Sequence, residues 1–174
     1  AIDTTAYVNK AGDTMAGALN LQYSIKIGGT GSTDNNTFFG RNSFTNRLST
    51  GTGVGNTAIG DSTFGSLGNG SNNTALGRNA GSSLTTGSYN LFLGSNVGSG
   101  ITIGSNNVII GGQVTGLSSS LANNIIIADG AGNRRINVGS TGLVGFGLNT
   151  AVYQVDVSGD VNVTGKYYLN GSFG

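Results

Sequence analysis

Short hydrophobic runs separated by polar, glycine-rich corners recur along the middle of the chain. They stand in Asn36-Thr-Phe-Phe-Gly40, Asn56-Thr-Ala-Ile-Gly60, Asn73-Thr-Ala-Leu-Gly77, Asn90-Leu-Phe-Leu-Gly94, Asn107-Val-Ile-Ile-Gly111 and Asn124-Ile-Ile-Ile-Ala128. From Asn56 onward the asparagines are spaced 17 residues apart, and only the first gap, Asn36 to Asn56, is longer at 20. A fixed period of this size predicts stacked coils, each supplying one layer of a common core. Corners such as Gly70-Ser-Asn-Asn73, Gly87-Ser-Tyr-Asn90 and Gly104-Ser-Asn-Asn107 punctuate strands rather than helices.

Two columns of this array are wholly apolar. Two positions after each Asn stand Phe38, Ala58, Ala75, Phe92, Ile109 and Ile126, and three positions after it stand Phe39, Ile59, Leu76, Leu93, Ile110 and Ile127. Neighbouring strand positions face opposite sides, so every short strand is apolar on both faces, whereas a coil has one interior. One column fills the coil; the other requires a cover from outside, for which a second copy of the same surface is the economical candidate. The expectation is an all-β parallel solenoid, or β-roll, of ~17-residue coils that does not fold as a monomer. A weaker run between corners, with Ala80, Val97 and Val114 in one register and Leu67, Leu84 and Ile101 in another, predicts a second strand per coil. The column Asn36, Asn56, Asn73, Asn90, Asn107 and Asn124 suits a ladder in which each amide donates to the next. An ion or sugar site on that ladder is the alternative.

The flanks are different. Between Asn20 and Gly29, Leu21, Tyr23, Ile25 and Ile27 alternate with polar residues, as in a strand with one buried face. After Ala128 the beat fails: Asp129-Gly130 predicts a turn, and Arg134-Arg135-Ile-Asn-Val138 a new strand. The chain thus divides into an N-terminal segment at 1–32, repeats at 33–130 and a C-terminal β segment at 131–174.

The opening Tyr7-Val-Asn-Lys-Ala-Gly-Asp-Thr-Met-Ala-Gly-Ala-Leu19 closely resembles the Y-V-x-x-x-G-D-x-M-x-G-x-L segment of bacteriophage tail fibre proteins, through Tyr7, Val8, Gly12, Asp13, Met15, Gly17 and Leu19. The repeats resemble the left-handed β-roll of trimeric adhesin heads, best at Asn56–Gly60 and Asn73–Gly77, although those heads keep a somewhat shorter period. Gly142-Leu-Val-Gly-Phe-Gly-Leu-Asn-Thr150 and the stretch Tyr153–Tyr168 resemble the "V-G-I-G-T … L-D-V-x-G-x-I-x-x-T-G" sequence near the end of phage fibres, which there often precedes a self-cleaving chaperone. The resemblance implies an intertwined parallel homotrimer flanked by irregular β segments, in the virion tail fibre and outside the cell, with a passage through the host cytoplasm during assembly. Its partners would be itself, other tail proteins and a host cell-surface glycan or protein receptor. The unpaired hairpin signal at Asn170-Gly171 leads us to expect that the gene product continues beyond Gly174. A bacterial adhesin head is the second reading; an ice-binding solenoid fits poorly, because Thr37, Thr57 and Thr74 give way to Leu91, Val108 and Ile125.

Composition narrows the chemistry. The chain has 174 residues with 33 Gly, no Pro, Cys, His or Trp, 9% charged residues and a net charge of +1. Such low charge would suggest disorder without the patterned apolar columns. The basic residues are scattered except for Arg134-Arg135, so no stripe for nucleic acid is visible. The longest apolar run, Ile125 to Ala128, is far short of a membrane span. Without His or Cys, and with all seven acidic residues being Asp, the usual activated nucleophiles are missing and no cofactor or metal is expected. Glycan cleavage needs two flanking carboxylates; the nearest pair, Asp156 and Asp160, brackets Val157-Ser158-Gly159, a predicted turn. The Gly28-Gly29-Thr30-Gly31 cluster lacks the Lys-Ser/Thr of a phosphate loop and the repeated Asp of a calcium nonapeptide. We therefore expect no enzyme. Receptor contact is expected beyond the repeats, at Arg134, Arg135, Tyr153, Tyr167, Tyr168 and Phe173, since Arg and aromatic side chains are enriched in recognition surfaces.

Overall fold

A computed structural model describes residues 35–45, 52–162 and 164. The expected strand at 20–29, the motif at 7–19 and the residues Tyr167, Tyr168 and Phe173 lie outside them.

Each Asn phrase forms one three- or four-residue strand, and the strands stack in chain order. They are β1 (Thr37–Phe39), β2 (Thr57–Ile59), β3 (Thr74–Leu76), β4 (Leu91–Leu93), β5 (Val108–Ile110) and β6 (Ile125–Ala128). All five pairings among them are parallel and in register, position on position, so that Ala58 lies on Ala75, Ala75 on Phe92 and Phe92 on Ile109. About five turns of a parallel β-solenoid result, all-β, with coils of 17 residues.

The stacking settles which column is inside. Ala58, Ala75, Phe92, Ile109 and Ile126 are buried, and the Asn column, two positions away on the same face, is buried with them. Phe38 is half-buried and packs on the same core. The neighbouring column points out of the coil: Phe39 is 64% exposed, Leu76 46%, and Ile59, Leu93 and Ile127 37% each. The residues directly after each Asn share that outer face, with Ile125 43% exposed.

The second run is in the core but forms no strand, contrary to the expectation of two strands per coil. Leu67, Leu84, Ile101, Ala80, Val97 and Val114 are all buried, yet Ala80 and Val97 sit in turns and the other four in irregular backbone. The backbone reverses beside them: Asn79, Asn96 and Gln113 have φ of 56°, 53° and 55°, a left-handed conformation incompatible with an extended ladder. Coil-to-coil bonding continues regardless, since these residues donate their N–H to the carbonyls of Asp61, Arg78 and Ser95.

Small and large residues alternate to fill the interior. Phe64 and Phe92 rings lie 6.1 Å apart, nearly edge to face, and a Cβ placed on Gly81 would collide with both. Phe44 and Phe64, themselves at left-handed φ of 55° and 49°, occupy in earlier coils the column that Gly81 and Gly98 hold later. Bulk supplied by a turn in one coil is supplied by the strand in the next, which keeps the packing dense. The Gly that ends five of the six phrases is forced by its neighbour: at Gly94, with φ 133°, an added Cβ would strike the Gly111 carbonyl of the next coil.

After β6 the direction reverses. A turn leads into β7 (Arg134–Val138), antiparallel to β6 with a register shift at Ile127/Ala128. Then β8 (Val144–Phe146) pairs antiparallel with β7, and β9 (Val155–Val157) parallel with β8. This three-stranded extension closes the end of the solenoid.

Candidate recognition site at the capped end

The Asn column is a structural ladder. Asn56, Asn73, Asn90 and Asn107 each donate Nδ2–H to the Oδ1 of the preceding Asn at 2.9–3.1 Å, and their backbone N–H to the same oxygen. Each Nδ2 also donates to a corner carbonyl, at Gly70, Gly87, Gly104 and Leu121 respectively. With donors and acceptors all engaged inside the coil, these amides are structural rather than free to bind a ligand. A serine ladder runs beside them, unforeseen from the sequence: Ser71, Ser88 and Ser105 each accept, on Oγ, the N–H of Val54, Ser71 and Ser88.

The Asn ladder stops at Asn124. Its backbone N–H still bonds Asn107 Oδ1, but its Nδ2 turns to the Ala122 carbonyl. Opposite Ile126, where the coils would place another apolar residue, the antiparallel β7 puts Asn137. A cleft of about 340 Å³ opens there, lined by Asn124, Arg134, Asn137, Ser140, Thr141, Asn149 and neighbours.

Arg134 and Arg135, adjacent on a strand, part company. Arg134 lines the cleft and donates from Nη1 to the Asn149 carbonyl at 3.2 Å. Burial lowers its guanidinium pKa from the ordinary value, and among the described residues no carboxylate pairs with it. Arg135 instead pairs with Asp129. That carboxylate also accepts from the Asn133 side chain and from the N–H groups of Ala131 and Asn133. Asn133 first, then Arg135, hold its pKa down at about 2. Asp129 and Arg135 thus lock the β6–β7 turn.

The Asn149 carbonyl accepts a second bond, from Asn137 Nδ2 at 2.8 Å. Asn137 is 5% exposed, and its Oδ1 is the one buried side-chain polar atom without a partner among the described residues. An unsatisfied buried acceptor costs about 1–3 kcal/mol, so this amide is out of keeping with the fully bonded coils. Asn137 did not stand out in the sequence; its parity with Ile126 emerges only once β7 pairs antiparallel.

Of the residues expected to meet a receptor, Arg134 enters the cleft, Arg135 does not, and Tyr153 stands 71% exposed beside Val152, 73% exposed. Of the two carboxylates considered for hydrolysis, Asp156 accepts the Val152 N–H. Among the described residues no group of three or more metal-ligating side chains converges, and no helix is long and apolar enough to cross a membrane. Comparison with family models, with curated proteins and with solved structures finds no match to this chain.

Proposed function

We propose that the chain is a non-enzymatic rod segment of a bacteriophage tail fibre, assembled as a parallel homotrimer, that carries or forms the tip attaching to the bacterial surface. The observation that carries this reading is the outer face of the coil sheet. Thr37, Thr57, Thr74, Leu91, Val108 and Ile125 alternate there with Phe39, Ile59, Leu76, Leu93, Ile110 and Ile127. A continuous apolar strip of this kind is uncommon on a solitary chain. Its registered, straight columns match a second copy lying parallel, and covering it at about 25 cal/mol per Å² supplies several kcal/mol per subunit. The number three comes from the resemblance of the Asn-Thr-Ala-Ile-Gly phrases to adhesin heads, and the virion from the Tyr7–Leu19 motif.

Sedimentation equilibrium tests the assembly. The expected species has three times the 17.4 kDa chain mass, and a stable folded monomer at micromolar concentration would sink it. The alternative, the head of a bacterial trimeric surface adhesin, makes the same trimer but a different address: antibodies to the chain should label phage tails, and labelling of uninfected bacterial surfaces instead would favour the adhesin.

A further inference from the structure

We propose that the cap is part of the subunit interface: the apolar strip of the coils continues across β7, β8 and β9, and a second copy of the chain covers it along its whole length, cap against cap. The proposal rests on the assembly reading above and adds which strands meet and in which direction.

The nine strands form one sheet in chain order, and the reversal after β6 leaves its outer face unbroken. Ile125 lies on Val138, Val138 on Val144 and Val144 on Val155. The row beside it passes from Ile127 to Ile136, Phe146 and Val157. Neither row carries a charge anywhere between β1 and β9. Phe146 is 40% exposed and Val155 60%.

The inward row shows that this strip is no by-product of packing within the chain. Beyond Ile126 that row becomes Asn137, Gly145 and Asp156. Loop residues Leu148 and Ala151 approach Gly145, so the inward face is filled without apolar side chains from the cap strands. A sheet that served only to close the solenoid would aim its hydrophobic residues at the coil core and its polar residues at water. These strands do the reverse, and the surface they fit therefore lies outside the chain. Continuity identifies that surface as another copy, because a partner lying parallel on the coil strip brings its own cap alongside. The contact then grows from six strands to nine.

The strip also has a direction. Thr37, Thr57 and Thr74 open one row, and aliphatic residues follow from Leu91 onward. Parallel copies set threonine beside threonine, where the hydroxyls can bond each other, and aliphatic beside aliphatic. Laid end for end, β2 would face β8 and bury the Thr57 hydroxyl against Val144 with no partner, which is unfavourable.

The chain has no Cys, so an introduced cysteine reports only its own neighbours. In the complete chain in its native assembly, Thr57→Cys and Val144→Cys should each give linked chains with a short bismaleimide, read on a denaturing gel. Thr86→Cys, at an exposed corner off the strip, should not. A mixed assembly of tagged Thr57→Cys and untagged Val144→Cys chains should give no tagged-to-untagged links, since β2 and β8 stand about 29 Å apart at 4.8 Å per strand. Phe146→Asp should sediment at a lower mass than wild type at the same concentration, and Tyr153→Asp, exposed but outside both rows, at the wild-type mass. Linked Thr57→Cys with unlinked Val144→Cys, or wild-type mass for Phe146→Asp, would overturn the cap interface, and tagged-to-untagged links would overturn the parallel direction. A wild-type chain that sediments as a monomer removes the assembly reading itself, whereas joined coils with unlinked caps remove this proposal alone.

Discussion

The coils at 36–128 and the cap at 129–162 are built from the same short strands, yet they treat buried polar groups in opposite ways. In the coils, Asn73 is buried and bonded on every side: it donates to Asn56 and Gly87, and its Oδ1 accepts twice from Asn90. In the cap, Asn137 is equally buried but has an idle oxygen. Translation by one coil guarantees a partner for any repeated group, because the next copy arrives in the same orientation. Where β7 runs antiparallel that guarantee ends, and a buried group can be left unsatisfied.

The sharpest way to break this contrast is to delete the amide in both regions. Asn73→Ala should cost several kcal/mol, since it orphans donors and acceptors of two adjacent coils at about 1–3 kcal/mol each. Asn137→Ala should cost little or nothing, because the loss of its one bond to Asn149, worth about 1 kcal/mol, is offset by removal of its unsatisfied oxygen. Chemical denaturation of the two variants checks this; equal losses would mean that the ladder is incidental.

Next in size is the packing of the coil interior. Phe92→Ala should destabilise by about 3–5 kcal/mol, because Gly81 and Gly98 offer no side chain to fill the space left by the ring. Tyr153→Ala in the cap, removing a side chain 71% exposed, should change stability by no more than about 0.5 kcal/mol. Thermal melts would expose a similar effect of the two if Phe92 were misplaced.

A smaller effect on the single chain, but a large one on the proposed assembly, is expected at the outer face. Leu93→Asp places a charge on an exposed position of the coil, so the coil itself tolerates it, while burial against a partner copy would cost several kcal/mol. The variant should sediment as a lighter species at concentrations where wild type is assembled. Thr86→Asp is the matched control, exposed at a corner. Ser88 is unsuitable for this purpose despite its corner position, since its Oγ belongs to the serine ladder. Unchanged mass for Leu93→Asp would remove the outer face as an interface.

The smallest effect is that of acid on the β6–β7 turn. The folded-state pKa of Asp129 lies near 2 against an ordinary 3.8. Its stabilisation is therefore complete above the ordinary value and lost as pH falls through about 2. Amide chemical shifts of Ala131 and Asn133, whose N–H groups donate to this carboxylate, should titrate together with a midpoint near the lowered value. A midpoint near 3.8 would show that the turn is not locked by its Asn133 and Arg135 contacts.

The period, the parallel register, the Asn ladder and the break after Ala128 were all legible in the amino-acid sequence, because stacking makes geometry a direct consequence of spacing. Like residues 17 apart, from Asn56 to Asn124, must lie on one another if the chain coils at all. That a glycine ends five of the six phrases was visible in the sequence too, but the close approach of successive backbones that requires it was not.

Only the tertiary structure decided what depends on orientation within a coil. Both apolar columns, that of Phe92 and that of Leu93, satisfy strand alternation equally, and the choice fell to the face shared with Asn, whose amides need buried carbonyls at the corners. Leu84 and Val97 read as strand residues by hydrophobicity, but left-handed turns beside them bury apolar groups without a strand. Arg134 and Asn137 stand three positions apart in the sequence with nothing to link them. A single carbonyl at Asn149, brought back by the antiparallel turn, places them together, and that contact follows from chain reversal rather than from any local pattern.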